Sequence, residues 1–144
     1  SRMLESGEPG HVMNTASTAG LLAFPTIASY NVAKRGVVAL TETLHHELEG
    51  TPISVSVLCP GMVDTNIHLS ERNREGVSEA SEMATAEVGN KEQLSPSEVA
   101  DIVVASIREG IFWILPHAHY GNQALEQAKR RVEGGTPVLP YVDR

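Results

Sequence analysis

Residues 10–58 set the architecture, because they read in succession as a strand, a helix and a second strand. The first part, GHVMNTAS (residues 10–17), is a short apolar run that ends in small and hydroxyl-bearing residues, which predicts a buried strand that stops at a sheet edge. The last part, ISVSVL (residues 53–58), is rich in β-branched side chains and runs into Cys59-Pro60-Gly61, where proline removes a hydrogen-bond donor. The pattern predicts two parallel strands joined by a crossover helix.

That helix is predicted over residues 29–49. Apolar residues recur in it at steps of three and four, which is the spacing of one helix face, and Gly50 supplies a stop. The residues of this stripe are Ala33, Val37, Leu40, Leu44 and Leu48. Further apolar residues, among them Val32, Val38 and Ala39, lie beyond the stripe. We therefore expect a second apolar surface on this helix, in addition to the one that covers the sheet.

Three more elements are predicted downstream. Residues 62–94 carry six Glu and no sustained apolar period, a length that predicts a mobile loop around a binding site. Ser95-Pro96-Ser97-Glu98 has the cap, proline and glutamate that start a helix, and this helix is expected to end at Gly110. A third buried strand is predicted over residues 111–116. A polar helix is predicted over residues 122–133, closed by Gly134-Gly135 and followed by an extended tail.

Candidate chemistry begins with Tyr30 and Lys34, which are four positions apart and so lie on one side of the predicted helix. A cation about 4 Å from a phenolate, at an effective dielectric constant of about 20, stabilises it by about 4 kcal/mol. Such stabilisation suits a phenol that acts as a general acid or base near neutral pH. Taken alone, the pair also fits an ordinary surface contact.

Two further segments stand next to predicted strand ends. Ser17 follows the first strand, at the carboxyl edge where open parallel sheets bind ligands, although a serine there also suits a turn or a helix cap. Residues 60–65 (PGMVDT) follow the second strand, and their proline and glycine end the ladder and let main chain approach a ligand. As an isolated motif this segment would be only a loop.

Taken together, Asn14-Thr15-Ala16-Ser17, Tyr30-x-x-x-Lys34 and Pro60-Gly61-x-x-x-Thr65 resemble the short-chain dehydrogenase/reductase family in order and spacing. The resemblance implies that Tyr30 is the catalytic acid/base, that Ser17 orients the substrate oxygen, and that Lys34 holds the nicotinamide ribose. It also implies that the main chain after the second strand receives the nicotinamide. Met62 belongs to this segment and is a candidate for the substrate pocket with Ser17 and Tyr30, with core packing as the alternative. The implied cofactor-binding residues are Tyr30, Lys34, Pro60, Gly61, Val63 and Thr65.

The resemblance runs from about residue 10 to residue 116, and the family's glycine-rich turn for the pyrophosphate has no counterpart in the sequence. We therefore expect one partial α/β domain over residues 1–144, the C-terminal half of a doubly wound parallel (Rossmann-type) sheet whose N-terminal half is not present. Its parts would be a catalytic helix (29–49), a mobile substrate loop (62–94) and a C-terminal helix and tail (117–144). The residues that would choose between NAD and NADP fall outside this half.

The implied activity is NAD(P)-dependent interconversion of an alcohol and a ketone or aldehyde by hydride transfer. Residues 62–94 and the tail after Pro116 offer apolar residues with few placed charges, which favours an apolar small-molecule substrate. The implied assembly is a homodimer or homotetramer, since residues 29–49 resemble the family's dimerising helix. The alternative is a truncated, inactive relative that serves only association with another subunit. The Ser17, Tyr30 and Lys34 triplet favours the enzyme, because association alone does not need these three residue types at this spacing.

Composition narrows the partners and the compartment. The net charge of −7 gives no attraction to nucleic acid or to an anionic membrane surface, and no apolar run reaches the roughly 18 residues of a spanning helix. A single cysteine, Cys59, and no apolar leader predict a cytoplasmic protein. His117 and His119 alternate as metal ligands do, but no third ligand is indicated, so we predict a solvated pair and no metal.

Overall fold

The computed structural model describes residues 2–65 and 93–140. Their strands form one parallel sheet in the order β1-β2-β3. The register pairs Gly10 with Ile53 and Thr15 with Leu58, and then Leu58 with Ile114. The elements are α1 (Arg2–Ser6), β1 (Gly10–Thr15), α2 (Ala28–Glu47), β2 (Ile53–Leu58), α3 (Pro96–Arg108), β3 (Trp113–Ile114) and α4 (Ala118–Val132).

Helices cover both faces of this sheet. Val57 and Cys59 point towards α2, where they form a buried cluster with Ala16 and Val38. Leu58 and Ile114 point the other way and pack with Val99 of α3, together with partly buried Ile102, Val103 and Ile107. Successive residues of a strand therefore belong to hydrophobic cores on opposite faces of the sheet, as expected for a sheet buried on both faces. The predicted class, part of a doubly wound α/β fold, is confirmed.

The predicted start of α3 at Ser95 and the predicted glycine stops are confirmed. Ser95 accepts a hydrogen bond from the backbone N–H of Glu98, and the Glu98 carboxylate accepts one from the backbone N–H of Ser95. The Ser95 hydroxyl and N–H also hold the pKa of Glu98 below its usual range. Gly50, Gly110 and Gly134 follow α2, α3 and α4 with φ of +80°, +70° and +73°, a conformation that glycine adopts without a steric penalty.

The predicted buried stripe of α2 was partly wrong. Leu40 is 62% exposed and Ala33 is exposed, whereas Val38 and Thr41 are buried against the sheet. The helix is apolar on more than one side, so its period alone does not select which side meets the strands. The helix also begins one residue before and ends two residues before the predicted range of 29–49.

Other boundaries shift. β1 ends at Thr15 and not at residue 17, because Ser17 caps a short 3-10 turn over Thr18–Gly20. β3 is only two residues long, and Trp113 is 39% exposed, so the third strand is not buried throughout. α4 begins at Ala118, four residues earlier than predicted. The predicted mobile loop lies outside the described residues, except for residues 62–65 and 93–94 at its two ends.

Among the residues that the structure describes, no helix has both the length and the apolar character needed to cross a membrane.

Candidate active site

The start of α2 is fixed against the segment that follows β1. Asn31 Nδ2 donates to the carbonyl of Phe24 at 2.7 Å, and Arg35 donates to the carbonyl of Leu21 at 3.2 Å. Gly20 packs directly on the helix, since a Cβ there would lie 2.9 Å from the carbonyl oxygen of Lys34 and 2.8 Å from Val38. These contacts bring the first turns of α2 to the carboxyl end of β1.

Tyr30 and Lys34 occupy these first turns. Lys34 Nζ donates to the carbonyl oxygen of Thr15 at 3.1 Å, at the last residue of β1. The same ammonium lies 5.7 Å from the centroid of the Tyr30 ring. Tyr30 is 41% exposed, so its phenol remains open to a ligand. The arrangement places a proton-carrying group and a fixed positive charge together at the sheet's carboxyl edge.

Ser17 lies at this edge, two residues beyond the carbonyl that Lys34 holds. Its Oγ accepts a hydrogen bond from the backbone N–H of Ala19 at 3.1 Å, which is the capping interaction of a serine after a strand. The cap occupies one lone pair of the half-buried hydroxyl, and the hydroxyl proton is still available for donation. Ser17 therefore combines the structural role with the capacity to hold a substrate oxygen.

Cys59 lies directly behind this edge and is buried. Burial raises the pKa of its thiol to about 11, against smaller opposing effects of the Ser17 backbone N–H and of Lys34. A thiol of this kind is a poor nucleophile. Cys59 is therefore a small buried residue of the core.

The segment after β2 is held at both ends. The Pro60 carbonyl accepts from the N–H of Thr18 at 2.9 Å, which joins this segment to the turn that carries Ser17. Further on, the N–H of Asp64 donates to Leu94 at 2.8 Å and the N–H of Leu94 donates to Met62 at 3.2 Å. Val63 and Leu94 form an isolated parallel bridge. Pro60 is thus fixed beside the turn that carries Ser17, and residues 62–64 are fixed against Leu94.

His117 and Tyr120 belong to this region, and sequence reasoning missed both. His117 is only 7% exposed, and its Nδ1 accepts from the N–H of Gly61 at 3.1 Å, so the prediction of a solvated His117–His119 pair was wrong. A Cβ at Gly61 would lie 2.8 Å from the Tyr120 ring. The available signal was topological: His117 follows β3, and carboxyl ends of parallel strands share one edge.

Within residues 2–65 and 93–140, no group of three or more histidine, cysteine, aspartate or glutamate side chains is arranged to hold a metal ion.

The sequence model of the short chain dehydrogenase family matches residues 1–76, which is more than half of this chain. The chain therefore belongs to the short chain dehydrogenase family, and the resemblance inferred from its motifs is confirmed.

Three proteins define its similarity more closely. The 1-deoxy-11-beta-hydroxypentalenate dehydrogenase of Streptomyces avermitilis is 33% identical over 120 residues, which cover 81% of this chain and 39% of that protein. A short chain dehydrogenase/reductase from Burkholderia phymatum in complex with NAD superposes with a TM-score of 0.83 at 31% identity, over 96% of this chain and 53% of that one. An actinorhodin polyketide ketoreductase with NADPH superposes with a TM-score of 0.55 at 37% identity, over 72% and 41% respectively.

This chain therefore spans about half the length, or less, of the relatives that it matches.

Proposed function

We propose that the natural protein carrying these residues is an NAD(P)-dependent oxidoreductase that interconverts an alcohol and a ketone or aldehyde. The observation that carries the proposal is the juxtaposition of Tyr30 and Lys34 at the carboxyl edge of the sheet, where Lys34 is anchored on the Thr15 carbonyl. Membership in the short chain dehydrogenase family supports the same conclusion. The proposed reaction requires an acid/base group beside a bound nicotinamide, and Tyr30 at this edge is such a group.

The residues at this edge suit the nicotinamide end of a dinucleotide. An exposed phenol and a fixed ammonium lie together there, and Pro60, at the start of the segment after β2, accepts a hydrogen bond from the turn that carries Ser17. When bound, the nicotinamide supplies or accepts a hydride. The relatives described above, one with NAD and one with NADPH, support this cofactor class, and either cofactor fits the proposal.

Each residue then has a distinct task. Tyr30 donates a proton to the carbonyl oxygen during reduction and takes it back during alcohol oxidation. Lys34 stabilises negative charge on the phenol and binds the ribose hydroxyls, from a position set by the Thr15 carbonyl. Ser17 donates a hydrogen bond from its hydroxyl to the same substrate oxygen and so orients it.

The segment after β2 completes the proposed site. Pro60 and Gly61 follow the end of β2, and the backbone of Val63 and the hydroxyl of Thr65 would bind the nicotinamide amide. Met62, which is half-buried, contributes to the substrate pocket with Ser17 and Tyr30. We propose an apolar alcohol or carbonyl compound as the substrate, because this part of the site offers apolar side chains and few charges.

The competing function is association without catalysis. The observation in its favour is the outward side of α2, where Val32 is 74% exposed and Leu40 is 62% exposed. This surface is compatible with an active oligomer too, and we propose a homodimer or homotetramer. Catalysis remains the better proposal, since an associating subunit has no use for a phenol and an ammonium at the sheet edge.

A turnover assay on the natural full-length protein tests the proposal. The absorbance of reduced nicotinamide is followed with NADH and with NADPH against a panel of apolar ketones and aldehydes, and the reverse reaction with the matching alcohols. We expect steady turnover with at least one pair. Binding of neither dinucleotide to the folded protein would contradict the proposal and favour the association role.

A further inference from the structure

His117 lies at the junction of β3 and α4, with its ring turned towards the segment after β2. It is the residue before the first residue of α4, and the N–H of Tyr120 donates to its carbonyl at 3.1 Å. Its Nδ1 accepts the N–H of Gly61 at 3.1 Å across 56 positions of the chain. The bond ties the start of α4 to the loop that contains Val63 and Thr65.

The surroundings of Gly61 are tight. A Cβ at this position would lie 2.8 Å from the Tyr120 ring and 3.1 Å from Cγ of His117. Tyr120 is itself buried, with its ring edge-on to Phe24 at a centroid distance of 6.2 Å. Gly61 is therefore held by one directional bond and by two rings that leave no room for a side chain.

We propose that His117 is a positioning residue for residues 60–65, the loop that the proposed function assigns to the nicotinamide. Its Nδ1 fixes the Gly61 N–H, so that Val63 and Thr65 are presented in a single conformation. This inference rests on the proposed function, since it assigns the loop a bound nicotinamide. His117 does not touch the reacting atoms and acts through Gly61. A partly buried N–H without an acceptor would drive the loop to a conformation in which water or another group satisfies it.

Two substitutions with the same branching pattern separate the acceptor from packing. Asn and Leu both branch at Cγ and have equal numbers of side-chain heavy atoms, but His117→Asn keeps an acceptor oxygen near the position of Nδ1, and His117→Leu does not. The dissociation constants of NADH and NADPH, the cofactor KM and kcat are measured for the natural full-length protein and both variants. In parallel, hydrogen exchange of the Gly61 amide reports the bond without reference to catalysis.

For His117→Leu we expect the cofactor dissociation constant and KM to rise about ten-fold, the worth of one buried hydrogen bond. We expect a smaller change in kcat at saturating cofactor and faster exchange of the Gly61 amide. His117→Asn restores most of the affinity and the protection.

The inference and the proposed function fail in different ways. If the unmodified protein binds neither NADH nor NADPH, the proposed function is wrong and this inference falls with it. If the unmodified protein binds a cofactor and His117→Leu binds it equally well, the positioning role alone is wrong. Equal losses in the Leu and Asn variants would also overturn the role, because they would trace the effect to ring packing.

Discussion

Gly20 and Gly61 have the same physical reason for lacking a side chain. Each gives its space to another part of the chain: Gly20 to the first turns of α2, and Gly61 to the rings of His117 and Tyr120. A sequence motif predicts that a glycine is needed after a strand, but not whether a ligand or the protein itself fills the gap. At Gly61 the protein fills it, and the freedom of the loop is correspondingly small.

His11 provides a test at the level of one residue. Its two ring nitrogens each lie 2.7 Å from a serine hydroxyl of β2, Ser54 at Nδ1 and Ser56 at Nε2. Burial lowers the pKa of His11 below its usual 6.5. The unfolded chain therefore takes up a proton first on acidification, so this histidine makes folding less favourable as the pH falls through about 6.5.

The expected consequence is a Tm that declines from about pH 7 to about pH 5, with part of the decline lost in His11→Gln, which retains a donor and an acceptor but does not titrate. Calorimetry of both forms across this range measures the difference. Parallel Tm curves for the two proteins would show that His11 carries no such penalty. The sequence did not predict the contact of His11 with these two serines, because Ser54 and Ser56 lie more than 40 positions away in sequence.

At the level of elements, some features of α2 follow from the periodicity of its sequence and others from its packing. The existence, length and glycine stop of this helix follow from its sequence, and so does the placement of Tyr30 and Lys34 on one side. The orientation of the helix follows from contacts that periodicity does not encode. One of these is polar: Asn14 Nδ2 of β1 donates to Thr41 Oγ1 at 3.1 Å, and Thr41 Oγ1 donates to the Val37 carbonyl at 2.6 Å.

Thr41→Val should therefore reduce the free energy of unfolding by about 1–3 kcal/mol, because it leaves the Asn14 amide facing a methyl group inside the α2–β1 contact. Thr43→Val is the matched control. Thr43 makes the same bond to a carbonyl four residues earlier, at 2.9 Å to Ala39, but on the exposed side. Denaturant unfolding of both variants measures the difference. Equal losses in the free energy of unfolding would show that the hydrogen bond to Asn14 contributes nothing to stability.

The arrangement of the whole molecule was predictable where it depends only on the order of elements along the chain. A strand, a helix, a second strand and a capped helix in succession imply parallel pairing and helices on both faces, and the sheet has this form. The meeting of His117 with Gly61, and the choice of which side of α2 faces outward, depend on distant segments. Neither leaves a local periodic signal.

The outward side of α2 supports a prediction about assembly. Its exposed residues are mostly small or apolar, among them Val32, Gly36, Ala39 and Leu40. If a second copy covers this side, Leu40→Glu places a charge in the interface and dissociates the oligomer. Leu125→Glu, at a leucine of similar exposure on α4, serves as control and leaves assembly intact. Sedimentation velocity at micromolar concentration distinguishes them, and a monomeric unmodified protein would refute the expectation.

The central claim is that Tyr30 transfers the proton that accompanies hydride transfer, and the kcat of Tyr30→Phe in the natural full-length protein tests it most directly. The substitution removes only the hydroxyl of a ring that is 41% exposed, so the fold and most of the cofactor affinity should be retained. With chemistry shown to be rate-limiting, we expect kcat to fall by about 10²–10⁴-fold. A variant that folds, binds cofactor and retains more than about a tenth of the unmodified kcat would contradict the claim.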